Sequence, residues 1–405
     1  MTAYKFREIT NTLKESLENM PVVVLSGMRQ TGKSTLLLNQ PQFKKRRYIS
    51  FDDFNTLEAA RSNPEELLSG NEPITIDEAQ KHPEILNVIK KEVDRNRKPG
   101  RFLLSGSANF LLLKKVSESL AGRAVYITLH PFTRREMLGL TKEKPALGDF
   151  IDTRAFPKRN IKPVTIKEIL KGGMPSVCLG QVKKPQVWFR GYEQTYLERD
   201  IRTLSQVADL VSFRNLLQLV ALRNTKVLNI SELARDAKLN VVTTSRYLSL
   251  METSFILSRI PPYLRNKTSR LIKAPKLYLS DTGLSAYLES IKESDLSDTT
   301  RGALLESYVA QNLAGILSAY YPDSKIAYWN IQGRYEVDFI IEIGGRTIAI
   351  EVKSGSRWKE SDLQGLKAYL AGNKNCLGGL LAYNGHEVLK LSKNIWAVPV
   401  DLLLS

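Results

Sequence analysis

The sequence predicts an α/β protein: a parallel sheet covered by helices on both faces, then a helical middle, then a second, smaller α/β unit. Three observations predict it. The first ~130 residues alternate short apolar runs with longer amphipathic stretches, the pattern of strands joined by crossover helices. From 131 to about 290 the periodicity is helical, interrupted by Pro131, Pro145, Pro157, Pro163 and the Gly172-Gly173-Met174-Pro175 turn. After Gly302 one helical stretch gives way again to alternating strands.

In the first region the strand-like runs are Val22–Leu25, Tyr48–Phe51, Ile74–Ile76, Phe102–Leu104 and Val125–Leu129, with helices expected over Glu84–Val93 and Phe110–Leu120. Runs this short cannot form helices, and strands buried on both faces carry little polar alternation. The polar segment Glu289–Thr300 reads as a linker before the last unit. The division that follows is 1–130, 131–205, 206–290 and 301–405.

Composition narrows the class. The chain has 405 residues, 42% hydrophobic and 25% charged, ordinary values for a globular protein with a sizeable core. Two cysteines, Cys178 and Cys376, and three histidines, His82, His130 and His386, fall in no metal or disulfide spacing, which argues against zinc and fits a reducing, cytoplasmic setting. The N-terminal MTAYKFREIT has no apolar h-region and no run approaches ~18 apolar residues, so neither signal peptide nor membrane association is expected. The net charge is +17. Between Arg214 and Lys276 stand twelve Lys/Arg against three Asp/Glu, about half the excess in under a sixth of the chain. Charge runs are usually solvated faces; concentration of this kind favours a local surface for a polyanion.

The sharpest motif is Gly27-Met-Arg-Gln-Thr-Gly32-Lys33-Ser34, which fits G-x-x-x-x-G-K-[ST] at every fixed position, with an apolar strand before it and a helical TLLLN after. Polyphosphates need many donors at short range. Glycines let backbone N–H groups approach, and a helix N-terminus adds partial positive charge. Gly27, Gln30, Thr31, Gly32, Lys33, Ser34 and Thr35 are the expected ATP contacts; Lys33 reaches the β- and γ-phosphates and Ser34 ligates Mg²⁺. The second component is Ile74-Thr75-Ile76-Asp77-Glu78. Asp77, at a strand end, holds the metal directly or through water; Glu78 orients or deprotonates the attacking water. Ser105 or Ser107, ending the next strand, is placed to reach the γ-phosphate or the lytic water. Arg123, just before the fifth strand, is placed either in solvent or toward a neighbouring subunit's γ-phosphate.

GMRQTGKST, ITIDEAQKHPE, FLLSGSANF and SLAGR, in this order, resemble the bacterial and archaeal AAA-type ATPases that carry a C-terminal nuclease-like domain. GGMPS at 172–176, QTYLERDI at 194–201, KLYLSDTGL at 276–284 and the EVDFII…EVKSGS block at 336–356 extend the resemblance over nearly the whole chain. The resemblance implies an AAA-type core with the P-loop strand central, followed by a helical lid or connector. Ser105 or Ser107 would take the sensor position, and Arg123 the arginine finger. Gly173 and Pro175 fall in a lid turn that touches nucleotide. It also implies a homo-oligomer, such as a hexameric ring.

Two further units complete the reading. Ile230–Ala237, a turn near Lys238-Leu239-Asn240, Val242–Thr253, the strand Phe255–Ile260 and the basic loop from Tyr263 resemble a winged helix-turn-helix. Thr243, Thr244 and Arg246 open the second helix, and Arg265, Lys267 and Arg270 are placed to meet DNA phosphates; such modules also serve as packing lids. In the last unit Asp338 precedes Glu351-Val352-Lys353 by a hairpin at Gly344-Gly345, which resembles a restriction-endonuclease-like, PD-(D/E)xK arrangement. Alternation along a strand puts Glu351 and Lys353 on one face. Asp338 and Glu351 would hold Mg²⁺ and Lys353 would stabilise charge; Glu306 fits the upstream acidic position. Three functions stay open on these residues: a DNA-processing or remodelling ATPase, a nucleotide-gated switch acting on a protein effector, and a toxin-like or defence nuclease under ATPase control.

Overall fold

The computed structural model describes residues 4–106, 120–160, 162–196, 201, 209–264, 266, 270, 273–331 and 333–405. Five parallel strands form the first sheet: β1 (Val22–Ser26), β2 (Arg47–Ser50), β3 (Ile74–Asp77), β4 (Phe102–Ser105) and β5 (Ala124–Thr128), in the order β2-β3-β4-β1-β5. All five strands expected from the sequence form. β1 lies one place in from the edge, and β4 holds the centre. β1, β3 and β4 are buried at every residue, as a sheet covered on both faces requires. The helix Ile85–Arg95 covers one face through Ile85, Leu86, Ile89 and Val93; Lys33–Asn39 and Thr10–Asn19 cover the other through Leu36, Leu37 and Leu13. The helix expected over Phe110–Leu120 lies almost wholly outside the described residues.

The middle of the chain is helical. Helices Ile230–Asp236 and Val241–Thr253 are each started by an asparagine side chain, Asn229 and Asn240, accepting a backbone N–H of the first turn. An antiparallel pair follows, β6 (Leu257–Ile260) and β7 (Lys276–Leu279). The last unit is a six-stranded mixed sheet of β8 (Lys325–Ile331), β9 (Tyr335–Ile343), β10 (Arg346–Lys353), β11 (Cys376–Tyr383), β12 (Leu389–Ser392) and β13 (Ile395–Pro399), ordered β12-β13-β11-β10-β9-β8. The long helix Asp298–Tyr320 packs on it. That helix starts inside the stretch read as a linker, because the side chain of Ser297 caps it.

The units share cores rather than standing apart. The apolar cluster under the last sheet includes Ile260 and Tyr278 from the middle unit. Pro262 bridges Tyr328 of β8, and the Tyr328 N–H donates to the Pro261 carbonyl at 3.0 Å. No helix among the described residues is long and apolar enough to cross a membrane.

Candidate functional site

The chain leaves β1 at Gly27 with φ 145°, and a Cβ there would stand 2.3 Å from the Leu129 carbonyl oxygen. Only glycine lets the loop turn so close to the neighbouring strand. Gly32, at φ 92°, starts the helix Lys33–Asn39. The Lys33 ammonium is buried and folded back, donating to the carbonyls of Gly27 at 3.0 Å and Met28 at 2.8 Å. Thr31 is buried and donates its hydroxyl to Met28 O at 2.8 Å, so its side chain shapes the loop and does not face a ligand.

A cavity of ≈ 440 Å³ opens on this loop, lined by Gln30, Gly32, Lys33, Ser34 and Thr35, by Glu78, and by Tyr4, Phe132, Pro175 and Ser176. Its size is that of a nucleotide-scale site. Asp77 ends β3 beneath it, buried, accepting from the Tyr48 hydroxyl at 2.6 Å and the Glu78 N–H at 3.0 Å. Glu78 has positive φ, 54°, a conformation disfavoured for a non-glycine residue and informative at functional sites. Burial, and then the charge of Asp77, push its carboxyl above the usual range, opposed by a Gln80 hydrogen bond and by the Lys33 charge. The phosphate loop and Glu78 therefore face one cavity, although β4 lies between β1 and β3. Ser105, opposite Leu25, is buried with no hydrogen-bond partner for its hydroxyl among the described residues; Ser107 lies outside them.

One expectation needs correction, and one residue is confined to a role between subunits. Gly173 does not line the cavity. Its N–H donates to Asp281 at 2.7 Å, and a Cβ there would lie 2.4 Å from the Phe132 carbonyl oxygen, so it is a packing glycine, while Pro175 of the same turn does reach the cavity. Arg123 precedes β5 at the end of the sheet opposite the loop, since Ala124 pairs with Val22 at the start of β1. Asp94 grips it at 2.6 and 2.9 Å, so it cannot serve the phosphate site of its own chain.

An ionic network that the sequence did not reveal supports the cavity. The buried Arg7 donates to Glu136 at 3.0 Å and to the Thr31 carbonyl at 2.9 Å, and stacks over Phe132. Arg135 donates to Glu8 at 2.8 Å, and Tyr320 donates to the same carboxylate at 2.9 Å. These charges are scattered along the chain, and no local motif marks them.

In the middle unit Arg246 is exposed and Thr243 is partly so, but Thr244 is fully buried and bonded to the Asn240 carbonyl at 2.9 Å. Thr244 is therefore withdrawn as a DNA contact. Arg270 is turned onto the last sheet, paired with Glu342 at 2.7 Å and packed over Tyr263, so it is not a free phosphate ligand either. Arg265 and Lys267 lie outside the described residues.

The last unit gathers its expected acids. Asp338 on β9 accepts the Val352 N–H at 2.9 Å; Glu351 on β10 accepts from Lys353 at 2.6 Å, and its other oxygen is buried with no partner among the described residues. Glu306, on the long helix, accepts from the Tyr278 hydroxyl at 2.5 Å. Into this group projects Lys276 of β7, its ammonium 3.2 Å from Glu306, 3.4 Å from Asp338, and paired with Glu336. Burial first, then the charge of Asp338, raises the carboxyls of Glu306 and Glu351. The hard oxygen donors and the orphaned Glu351 oxygen suit a divalent cation. Even so, no three His, Cys, Asp or Glu side chains among the described residues stand in metal-holding array, and Lys276 holds the place between Glu306 and Asp338. Sequence reading missed Lys276, because its strand carries no motif of its own.

Residues 19–138 match the family described as an AAA domain, and residues 165–295 and 301–403 match two domains of unknown function, DUF8612 and DUF4143. With the phosphate loop opening on a cavity shared with Glu78, the chain therefore carries an AAA-type P-loop domain over residues 19–138. It belongs to one family with an uncharacterized protein of Mycobacterium tuberculosis and its Mycobacterium bovis counterpart, each 31% identical over 410 residues, covering 98% of this chain and 84% of theirs. A Haemophilus influenzae protein, also uncharacterized, is 22% identical over 65% of this chain and 68% of its own. Among solved structures, the Walker-type ATPase of Pyrococcus abyssi is similar over 71% of this chain and 99% of its own, at 16% identity and TM-score 0.45. Thermotoga maritima RuvB is similar over 64% and 91%, at 15% and 0.31.

Proposed function

We propose that this chain hydrolyses ATP with Mg²⁺ and that DNA is the polymer on which the hydrolysis acts. One observation carries the ATPase half: Lys33, Ser34 and Glu78 converge on a single nucleotide-sized cavity. In this reading Ser34 and Asp77 would hold Mg²⁺, which neutralises phosphate charge when bound. Lys33 turns from its own loop carbonyls to the phosphates, Glu78 orients water, and Ser105 offers the γ-phosphate its unspent hydroxyl. Arg123 acts only across a subunit boundary, so the reading includes a homo-oligomer.

The DNA half rests on the basic excess between Arg214 and Lys276 and the exposed Arg246. Thr244 and Arg270, turned inward, contribute nothing to it. In the last unit Asp338 and Glu351 would hold a second divalent cation beside Lys353, the donor set for phosphodiester cleavage.

The burial of Thr244 and the docking of Arg270 favour a second reading, a nucleotide-gated switch on a protein effector. ATP turnover with no DNA and with single-stranded, duplex or branched DNA separates the two. Stimulation by DNA, lost in Lys33→Ala, supports the first; no binding and no stimulation hands the case to the second. Glu78→Gln should still bind ATP and turn it over poorly, and wild-type turnover would refute its assigned role. DNA nicking that persists in Asp338→Ala would remove the nuclease assignment.

A further inference from the structure

The carboxylates of Glu306, Glu336 and Asp338 come from the long helix and from β9, but the cation they surround comes from another unit. Lys276 is the first residue of β7, and its side chain is only 4% exposed. Its main chain is fixed on both sides: Ile260 of β6 is its antiparallel partner, and Val227 forms a bridge to it. The ammonium meets three carboxylates at once and lies 5.7 Å from the Tyr328 ring centre.

A lysine ammonium is a compact point charge with three donors. Set among oxygens of three acidic side chains, it takes the electrostatic place of a hard metal ion with half the charge of a divalent one. Lys353 is already engaged with Glu351, and the second Glu351 oxygen has no partner among the described residues. The cluster is therefore rich in oxygen donors and short of positive charge, even with both lysines in place.

We propose that Lys276 is a tethered cation that occupies the divalent-cation position of the last unit, so that a metal ion binds there only when Lys276 is withdrawn. This rests on the divalent-cation reading of Asp338 and Glu351 given above and adds a gate to it. The gate is intramolecular: opening it requires movement of β7 or a new rotamer of one side chain. Apparent metal affinity then scales with the fraction of molecules in which Lys276 is out.

Mn²⁺ titration of the full-length protein without nucleotide, followed by the spin-resonance signal of free Mn²⁺, tests this. Lys276→Met should create a site whose Kd is at least about tenfold lower than in wild type, and Asp338→Asn in the same chain should remove it. Lys276→Arg, which keeps the charge, should show no gain. If Lys276→Met fails to fold, Glu336→Gln serves. Glu336 is largely exposed (side chain 44%), and losing it frees one anchor of the ammonium, so a smaller gain of the same Asp338 dependence is expected. Equal Asp338-dependent Kd values in wild type and variant overturn the gate and leave the metal reading standing. Absence of any Asp338-dependent site in wild type and variants overturns both.

Discussion

The phosphate loop and the acidic cluster of the last unit both hold a buried lysine, and they treat it in opposite ways. Lys33 is bonded to carbonyls of its own loop, five and six residues back, beside an open cavity. Its hydrogen bonds run from the ammonium to uncharged carbonyls, each worth about 1.5–3 kcal/mol net, and an incoming phosphate replaces them with anionic acceptors. Lys276 is bonded to three carboxylates up to 62 residues away, in contacts where donor and acceptor both carry full charge. One site is arranged to receive a ligand, the other to be held closed. A turn joins them: Pro175 lines the nucleotide cavity, and two residues earlier Gly173 bonds Asp281, which follows β7 closely in sequence.

The largest effect expected is on turnover. Lys33→Ala removes the loop lysine placed to meet the phosphates and should lower ATP hydrolysis by at least about a hundredfold, the range seen for lost transition-state donors. Chemical denaturation should barely change, because the lysine's present partners are carbonyls at a wet cavity. A hydrolysis rate within a few-fold of wild type would break the comparison at its first site.

Asp338→Ala should do the reverse. Removing one partner of a buried ionic group leaves Lys276 undercompensated, at about 3–5 kcal/mol, read from urea unfolding at neutral pH, while ATP turnover without DNA should hold. Gly27→Ala belongs between them. Its Cβ would overlap the Leu129 carbonyl at 2.3 Å, so a loss of about 2–3 kcal/mol is expected together with lost nucleotide affinity, because the loop itself must shift.

The two sites were unequally legible in the sequence. A phosphate loop is local: eight consecutive residues specify the turn, the helix start and the charge, and the structure places them as their spacing requires. The acids Asp338 and Glu351 were legible for a similar reason, since a hairpin brings them into cross-strand neighbourhood. Lys276 was not, because its position depends on how β7 packs against a helix and sheet that follow it in the chain. Arg7 and Arg135 escaped likewise: nothing distinguishes a buried arginine from a solvated one until its carboxylate, about 130 residues distant, is seen. Thr244 misled for a subtler reason. It lies one residue beyond the partly exposed Thr243 on the helix Val241–Thr253, and a turn of about 100° per residue takes it from the outer face to the core.

His130 ties the first sheet to the last unit and offers a smaller test. Burial, with the nearby Arg7 charge, lowers its pKa to about 4, and its Nε2 lies 3.0 Å from the Ser318 hydroxyl of the long helix. The folded protein therefore resists protonating a group that the unfolded chain protonates near pH 6.5. Stability is complete above that value and falls as the pH drops from about 6.5 toward 4. Because His130 also borders cavities that admit water, the loss should be about 2 kcal/mol rather than the full linkage value. His130→Asn should flatten this part of the stability–pH curve, and an unchanged slope would show that the interface does not sense the imidazole.

The smallest effect falls on DNA. Arg246 is exposed and packs over Tyr247, with its guanidinium carbon 5.5 Å from the ring centre, and it carries none of the buried pairing that holds Arg270. If the middle unit meets a phosphate through it, Arg246→Ala should weaken DNA binding by about 1 kcal/mol at physiological salt and make the slope of log K against log salt shallower by about one. Stability and DNA-free ATP turnover should not move. Arg270→Ala makes the contrast: it should leave the salt slope alone and lower stability instead, because its charge is already spent on Glu342. If both variants change the slope equally, Arg270 must leave Glu342 in the complex. If neither does, the basic excess is a solvated face and the effector reading gains.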